Sequence, residues 1–124
     1  LVQALAPDEI GAVGAAVLAR VAAAGAIAPQ VLADEVAHAA VKGVRCGRWS
    51  EDLARRLVEQ VGDLGIELVD RTRPSAAQVD LALETGLTAA DAAYVLLARD
   101  FGLPLVTADA AMRRAAVAVG VDCA

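Results

Sequence analysis

Leu87-Thr88-Ala89-Ala90-Asp91-Ala92-Ala93-Tyr94-Val95-Leu96-Leu97-Ala98, followed a few residues on by Gly102-Leu103-Pro104-Leu105-Val106-Thr107-Ala108-Asp109, is the stretch on which the fold turns. Thr88 and Asp91 have the S/T-x-x-D spacing of a helix start, in which a hydroxyl accepts a hydrogen bond from the first turn. The helix they open is almost wholly apolar and is expected to be buried, running to about Phe101. Gly102 is placed to stop it. Leu103 to Thr107 then reads as a strand, and Ala108 to Ala118 as the next helix. A buried helix passing into a short apolar strand is the sign of an α/β protein.

The same alternation extends outward in both directions. Upstream, Pro74-Ser75 starts a helix that ends at Gly86, and Ile66-Glu67-Leu68-Val69 is strand-like. Ser50-Glu51-Asp52 caps a helix with Leu53, Leu57, Val58 and Val61 on one face, broken at Gly62 and Gly65. Val31 to Val41 has helical spacing and is expected to end at Gly43. Ala26-Ile27-Ala28, closed by Pro29, reads as a brief buried strand, and Pro7-Asp8-Glu9 opens a helix reaching Gly25. Downstream, Val121-Asp122-Cys123 follows Gly120 as a last short strand. Strands separated by helices pair in parallel through crossovers, so the expectation is an α/β fold with a parallel central sheet flanked by helices on both faces.

Composition fits one domain spanning residues 1–124. Alanine supplies 31 of the 124 residues, against one Trp, one Tyr and one Phe, so the core must be built from closely packed small and aliphatic side chains. Uncharged runs such as Val21 to Ala28 are far shorter than the roughly 20 residues of a membrane span, so neither a transmembrane segment nor a signal peptide is expected, and the cysteine usage makes a reduced, cytoplasmic setting the expectation. Cys46 and Cys123 form no C-x-x-C pair and are expected to be free thiols. The net charge of −5 argues against coating nucleic acid by bulk attraction. Lys42, Arg45, Arg48, Arg55 and Arg56 nevertheless cluster around Trp49, either as a solvated helical hairpin or as a nucleic-acid or partner surface.

In a parallel α/β fold the functional site forms outside the carboxyl ends of the strands. Three acids answer to that place. Asp109 directly follows the Leu105-Val106-Thr107 strand, Glu35 lies in the helix after Ile27-Ala28, and Asp91 opens the buried helix. Each also has a plain structural reading: Asp91 as the partner of Thr88 in a capping box, Asp109 as a helix cap, and Glu35 on an exposed face. Gathered at one end of a sheet, such carboxylates repel one another unless a cation lies between them, and oxygen-only ligation suits Mg²⁺ or Mn²⁺. His38 and the cysteines lack zinc spacing. A phosphoryl-receiver domain would need a lysine near the last strand, whereas the only lysine is Lys42. Gly11-Ala12-Val13-Gly14 lacks the dinucleotide-binding form.

Three stretches resemble the VapC-type PIN-domain ribonucleases, the toxin halves of prokaryotic toxin-antitoxin pairs. They are Ala28-Pro29-Gln30-Val31-Leu32-Ala33-Asp34-Glu35-Val36, Leu87 to Ala98, and Gly102 to Asp109, and in order and spacing the likeness covers nearly the whole chain. The resemblance implies that Glu35, Asp91 and Asp109 are the second, third and fourth acids of the PIN metal site, with Thr107 as the accompanying hydroxyl. It implies one or two Mg²⁺ or Mn²⁺ ions that contact a phosphate oxygen and activate water for in-line attack, leaving 5′-phosphate and 3′-hydroxyl ends. It further implies an RNA substrate, a cognate antitoxin and a homodimer. Arg45, Arg48 and Arg73 are candidates for RNA contact.

Two departures stand out. The family's first acid ends an N-terminal strand, and Leu1-Val2 match what would follow it, so the first strand is expected to be missing and the natural protein to carry about ten more residues, a strand and its entry. Ala90 stands where relatives often have an aromatic residue. The alternative reading is a degenerate PIN-like module that binds RNA or a protein partner without cleavage.

Overall fold

A computed structural model of the chain describes residues 2–3, 19, 21, 23–70, 75–107 and 109–123. Four strands, β1 (Val2–Gln3), β2 (Ile27–Pro29), β3 (Glu67–Val69) and β4 (Leu105–Val106), form one small parallel sheet in the order β3-β2-β1-β4. Cys123 adds a parallel bridge to Leu105 beyond β4. Among the described residues five helices with both ends defined accompany it: α1 (Val31–Arg45), α2 (Glu51–Asp63), α3 (Ala76–Thr85), α4 (Ala89–Phe101) and α5 (Ala110–Ala118). The chain is thus α/β with parallel pairing.

The expectation of a missing first strand is corrected. Val2 pairs with both Ile27 and Leu105, and Gln3 with Val106, so the first residues of this chain fill the slot between β2 and β4. The reason lies in the backbone: facing edges of β2 and β4 would otherwise leave rows of unpaired N–H and C=O groups at the centre of the sheet. The helix expected from Pro7 to Gly25 falls mostly outside the described residues, although Ala19, Val21, Ala23 and Ala24 are helical.

Helix α4 is the centre of the packing. Ala92 to Ala98 are seven consecutive buried residues, so the helix is enclosed on every side, and it packs against β1, β2, β4, α3 and α5. Ala28 and Pro29 are both buried, as are Leu105 and Val106. Successive strand residues point to opposite faces, so the middle of the sheet is covered on both. At the edge, β3 leaves Glu67 and Leu68 exposed. Among the described residues no single helix is long and apolar enough to cross a membrane. Cys46 and Cys123 are free, the first exposed and the second half-buried.

The caps follow the sequence closely. Ser50 accepts from Leu53 N at 3.1 Å, Thr88 accepts from Asp91 N at 3.1 Å, and Gly102 ends α4 in the left-handed conformation at φ 64°. Gly43 does not behave as a stop. The helix α1 runs through it to Arg45, and the carbonyl of Gly43 accepts from the backbone N–H groups of both Arg48 and Trp49. A Cβ built on Gly43 would overlap the Trp49 indole, so this glycine is needed for close approach of the ring to the helix. Gly62 is likewise accommodated within α2, and the chain turns at Gly65 with φ 70°. Gly43→Val is expected to destabilise the protein by about 1–3 kcal/mol through overpacking, since valine and glycine differ little in helix propensity. Urea denaturation reads this directly, and an unchanged midpoint would show that Trp49 moves aside freely.

Candidate active site

The connectivity places the start of α1 just beyond the carboxyl end of β2, and the start of α5 just beyond that of β4. Helix α4 precedes β4 and must run back against it, which brings its first turn to the same end of the sheet. Glu35, Asp91 and Asp109 therefore lie on three helices at the same, carboxyl end of the sheet.

Each acid is held in a different way. The Tyr94 hydroxyl donates to Glu35 Oε1 at 2.7 Å, across 59 residues of sequence. The Asp91 backbone N–H is tied to Thr88, and Asp91 sits in the first turn of α4. Asp109 is the N-cap of α5: its Oδ1 accepts from Ala111 N at 2.7 Å and from Met112 N at 3.1 Å. Its own N–H donates at 3.1 Å to Oγ1 of Thr107. Thr107 is 4% exposed, and its hydroxyl spends its proton on the Met112 sulfur at 3.7 Å. The capping readings of Asp91 and Asp109 thus hold as local geometry. They leave Asp91 half-buried, and they leave Asp109 Oδ2 outside the hydrogen bonds of the described residues.

The electrostatics run along the row. Burial pushes the Glu35 carboxyl above its ordinary value, and the charge of Asp91 adds to this, against a lowering hydrogen bond from Tyr94. Burial also raises Asp91, partly offset by Thr88, and the charge of Asp109 raises it further. The Tyr94 phenol is raised as well, first by burial, then by its bond to Glu35 and by the two nearby carboxylates. Asp91 therefore feels, or is felt by, both other acids. The donor chemistry, all carboxylate oxygen, fits a hard divalent cation. In the arrangement described, no group of three or more Asp, Glu, His or Cys side chains among the described residues is close enough to hold an ion.

A pH prediction follows from these shifts. With folded-state values raised above 4.5 for Glu35 and above 3.8 for Asp91, the native protein binds more protons than the unfolded chain just above those values. Their contribution is complete at lower pH and is lost as pH rises through the raised values. Glu35→Gln removes one of them. In EDTA, the thermal midpoint of Glu35→Gln relative to the parent is expected to climb as pH is raised from about 4 to about 8. A difference independent of pH would contradict the raised carboxyl.

The basic candidates fare differently. Arg45 ends α1, ten residues after Glu35, which puts it about 15 Å along the helix axis. With Arg48 it is exposed on the turn between α1 and α2, away from the acids. Arg73 lies outside the described residues. Arg113, in the first turn of α5, donates from Nε to the Thr107 carbonyl at 2.9 Å. Tyr94 and Arg113 are the two site residues that sequence reasoning missed. Their only local signals are spacing: Tyr94 one helical turn after Asp91, and Arg113 one turn after Asp109. A cleft of about 610 Å³ between α1 and α2, lined by Ala40, Val41, Val44, Ala54 and Val58 among others, contains none of the three acids.

Compared with known proteins, the chain matches no family model and no curated protein.

Proposed function

We propose that this chain is a PIN-type, metal-dependent endoribonuclease that hydrolyses RNA phosphodiester bonds, and the toxin component of a toxin-antitoxin pair. The observation that carries the reading is the row Glu35, Asp91, Asp109: three carboxylates from three helices, coupled by their charges at the carboxyl end of a parallel sheet. The parallel strand pairing and the buried residues on both faces of the middle strands support an α/β domain as the setting for this reading. In this reading Glu35, Asp91 and Asp109 would hold the ion, and Mg²⁺ or Mn²⁺ would supply, when bound, Lewis-acid polarisation of a phosphate oxygen and a more acidic water.

The chain's own residues supply placement. Tyr94 holds one oxygen of Glu35, Thr107 holds the backbone of Asp109, and the α5 N-terminus holds Asp109 Oδ1. Raised carboxyl values in the absence of an ion mean that cation binding displaces protons, so affinity for the ion increases with pH. The natural setting in this proposal is the cytoplasm, with RNA as substrate, a homodimer as the working form and a cognate antitoxin as partner.

A second reading is favoured by one observation: no three ligating side chains among the described residues close on a point. It takes the chain as a PIN-like module that binds RNA or a protein without cutting. Cleavage of a pool of structured RNAs in Mn²⁺ against EDTA separates the two. Cleavage that needs Mn²⁺ supports the nuclease; a folded protein that leaves all RNAs intact in both conditions supports the binding module.

A further inference from the structure

We infer that the tip of the α1–α2 hairpin is a docking site for single-stranded nucleic acid, in which Trp49 stacks on a base while Lys42, Arg45 and Arg48 bind the neighbouring phosphates. Arg45 lies about 15 Å from Glu35 along α1, so the site is separate from the three acids and needs no metal ion. It stands with either reading of the chain's function, cleavage of RNA or binding alone.

The chain's single tryptophan lies off the hydrophobic core. The six-membered ring of its indole rests on Gly43, where the absence of a Cβ allows close approach to the helix, and the residue remains partly exposed. The backbone N–H groups of Arg48 and Trp49 both donate to the Gly43 carbonyl, and that of Gly47, at φ 73°, donates to the Val44 carbonyl. The turn thus folds Arg48 and Trp49 back onto the last turn of α1, which carries Lys42 and Arg45. Five cations and two acids fall between residues 42 and 56, in a chain whose net charge is −5. Arg55 reaches both of those acids, Glu51 and Asp52, at 3.3 Å. Lys42, Arg45 and Arg48 are therefore left without an acidic partner among the described residues, and all three are exposed. Positive charge gathered at one tip of an acidic molecule draws a polyanion to that tip.

A fixed aromatic ring among cations matches a ligand that alternates flat bases with phosphates. Single strands present both, because their bases are free to stack; an acidic peptide or an anionic membrane presents the charge without the base. Favourable charge at a helix C-terminus would account for Lys42 and Arg45. It accounts neither for Arg48, which lies beyond the helix end, nor for a partly exposed indole held rigidly beside it.

The test uses the full chain in EDTA with an oligouridylate of about 12 nucleotides, at about 50 and about 200 mM salt. Trp49 fluorescence reports contact at this one position, since the chain has no other tryptophan, and anisotropy of a labelled oligonucleotide gives affinity. Saturable quenching of Trp49 is expected, with a slope of log affinity against log salt of about −2, as for three phosphate contacts on a single strand. Trp49→Leu is expected to weaken binding about 5- to 150-fold while keeping that slope. Combining Lys42→Gln, Arg45→Gln and Arg48→Gln is expected to flatten the slope toward zero, whereas Arg99→Gln, which removes a cation outside the patch, should bind as the parent does. Absence of binding, binding that leaves Trp49 fluorescence unchanged, or full affinity in a folded Trp49→Leu overturns the inference. Equal quenching by polyglutamate or by anionic vesicles also overturns it, because the tip would then be a general anion surface. Quenching in the parent needs no substitution and decides the matter should Trp49→Leu fail to fold. A chain that binds the oligonucleotide in this way but cleaves no RNA in Mn²⁺ would lose the nuclease reading and keep the docking site.

Discussion

Under the proposed nuclease function, Asp91→Asn is expected to lower Mn²⁺-dependent RNA cleavage by at least about 100-fold, the scale on which loss of one electrostatic stabiliser costs catalysis, while leaving the metal-free protein as stable as the parent or more so. The opposite directions are the point. Asp91 stands between Glu35 and Asp109 and shares its charge interactions with each, so it is the acid whose removal most disturbs the row. Its carboxyl is raised by burial and by Asp109, so ionising it costs more in the folded protein than in the unfolded chain. A neutral amide of the same shape relieves that cost. The backbone bond from Asp91 N to Thr88 is untouched, so the α4 cap survives the change.

If Asp91 served only as an acidic residue in a helix N-terminal turn, the amide would remove a favourable charge and lower stability by about 0.3–1 kcal/mol. Cleavage would then be unaffected. Initial rates over a Mn²⁺ series, paired with urea midpoints in EDTA, distinguish the two cases in one set of samples. An Asn variant that cuts RNA at the parent's rate sinks the assignment of Asp91.

The residues that could be read in advance are those whose roles are local. Thr88 and Ser50 cap the helices they were expected to cap, and Gly102 ends α4 in the left-handed conformation, because each acts within a turn of its own position. The strand residues Ile27-Ala28, Leu68-Val69 and Leu105-Val106 were visible as apolar runs. Their limits were not, because strand ends depend on partners far away: the expected strand from Leu103 to Thr107 pairs only at Leu105 and Val106, and the expected one at Val121 to Cys123 is a single bridge. Val2–Gln3 could not be recognised as the central strand for the same reason, since its identity lies in β2 and β4 and not in its own two residues. Gly43 was misread because a glycine demanded by a neighbour's ring looks, in sequence, like one that stops a helix.

The site divides along the same line. The three acids were legible from their positions after strands and at a helix start. The Tyr94–Glu35 bond was hidden because Tyr94 lies in an apolar run, where an aromatic residue reads as core, and its partner is 59 residues away. Arg45 and Arg48 were drawn toward the site by charge alone, although the rise of 1.5 Å per residue already separates Arg45 from Glu35 by most of α1.

The largest stability effect is expected in that same central helix. Leu97 is 1% exposed in a helix buried on all sides, and the core it belongs to is rich in alanine, including Ala28, Ala92, Ala98, Ala115 and Ala116. Backbones packed through alanine are already at close approach, and alanine has no rotamer with which to fill a void. Leu97→Ala should therefore leave a cavity that collapses poorly, placing its cost within the roughly 2–5 kcal/mol seen for such truncations and toward its upper part. Against a total of about 5–15 kcal/mol for a domain, this is a large share. Leu83→Ala, on α3 at 79% exposure, is the matched control and should stay within about 0.5 kcal/mol. Both variants are helix positions with the same chemical change, so helix propensity cancels between them. Urea denaturation with an unchanged slope would assign the difference to the native core. A Leu97→Ala variant no less stable than Leu83→Ala would mean that α4 is not enclosed as described, and the placement of Asp91 and Tyr94 at the head of that helix would lose its foundation.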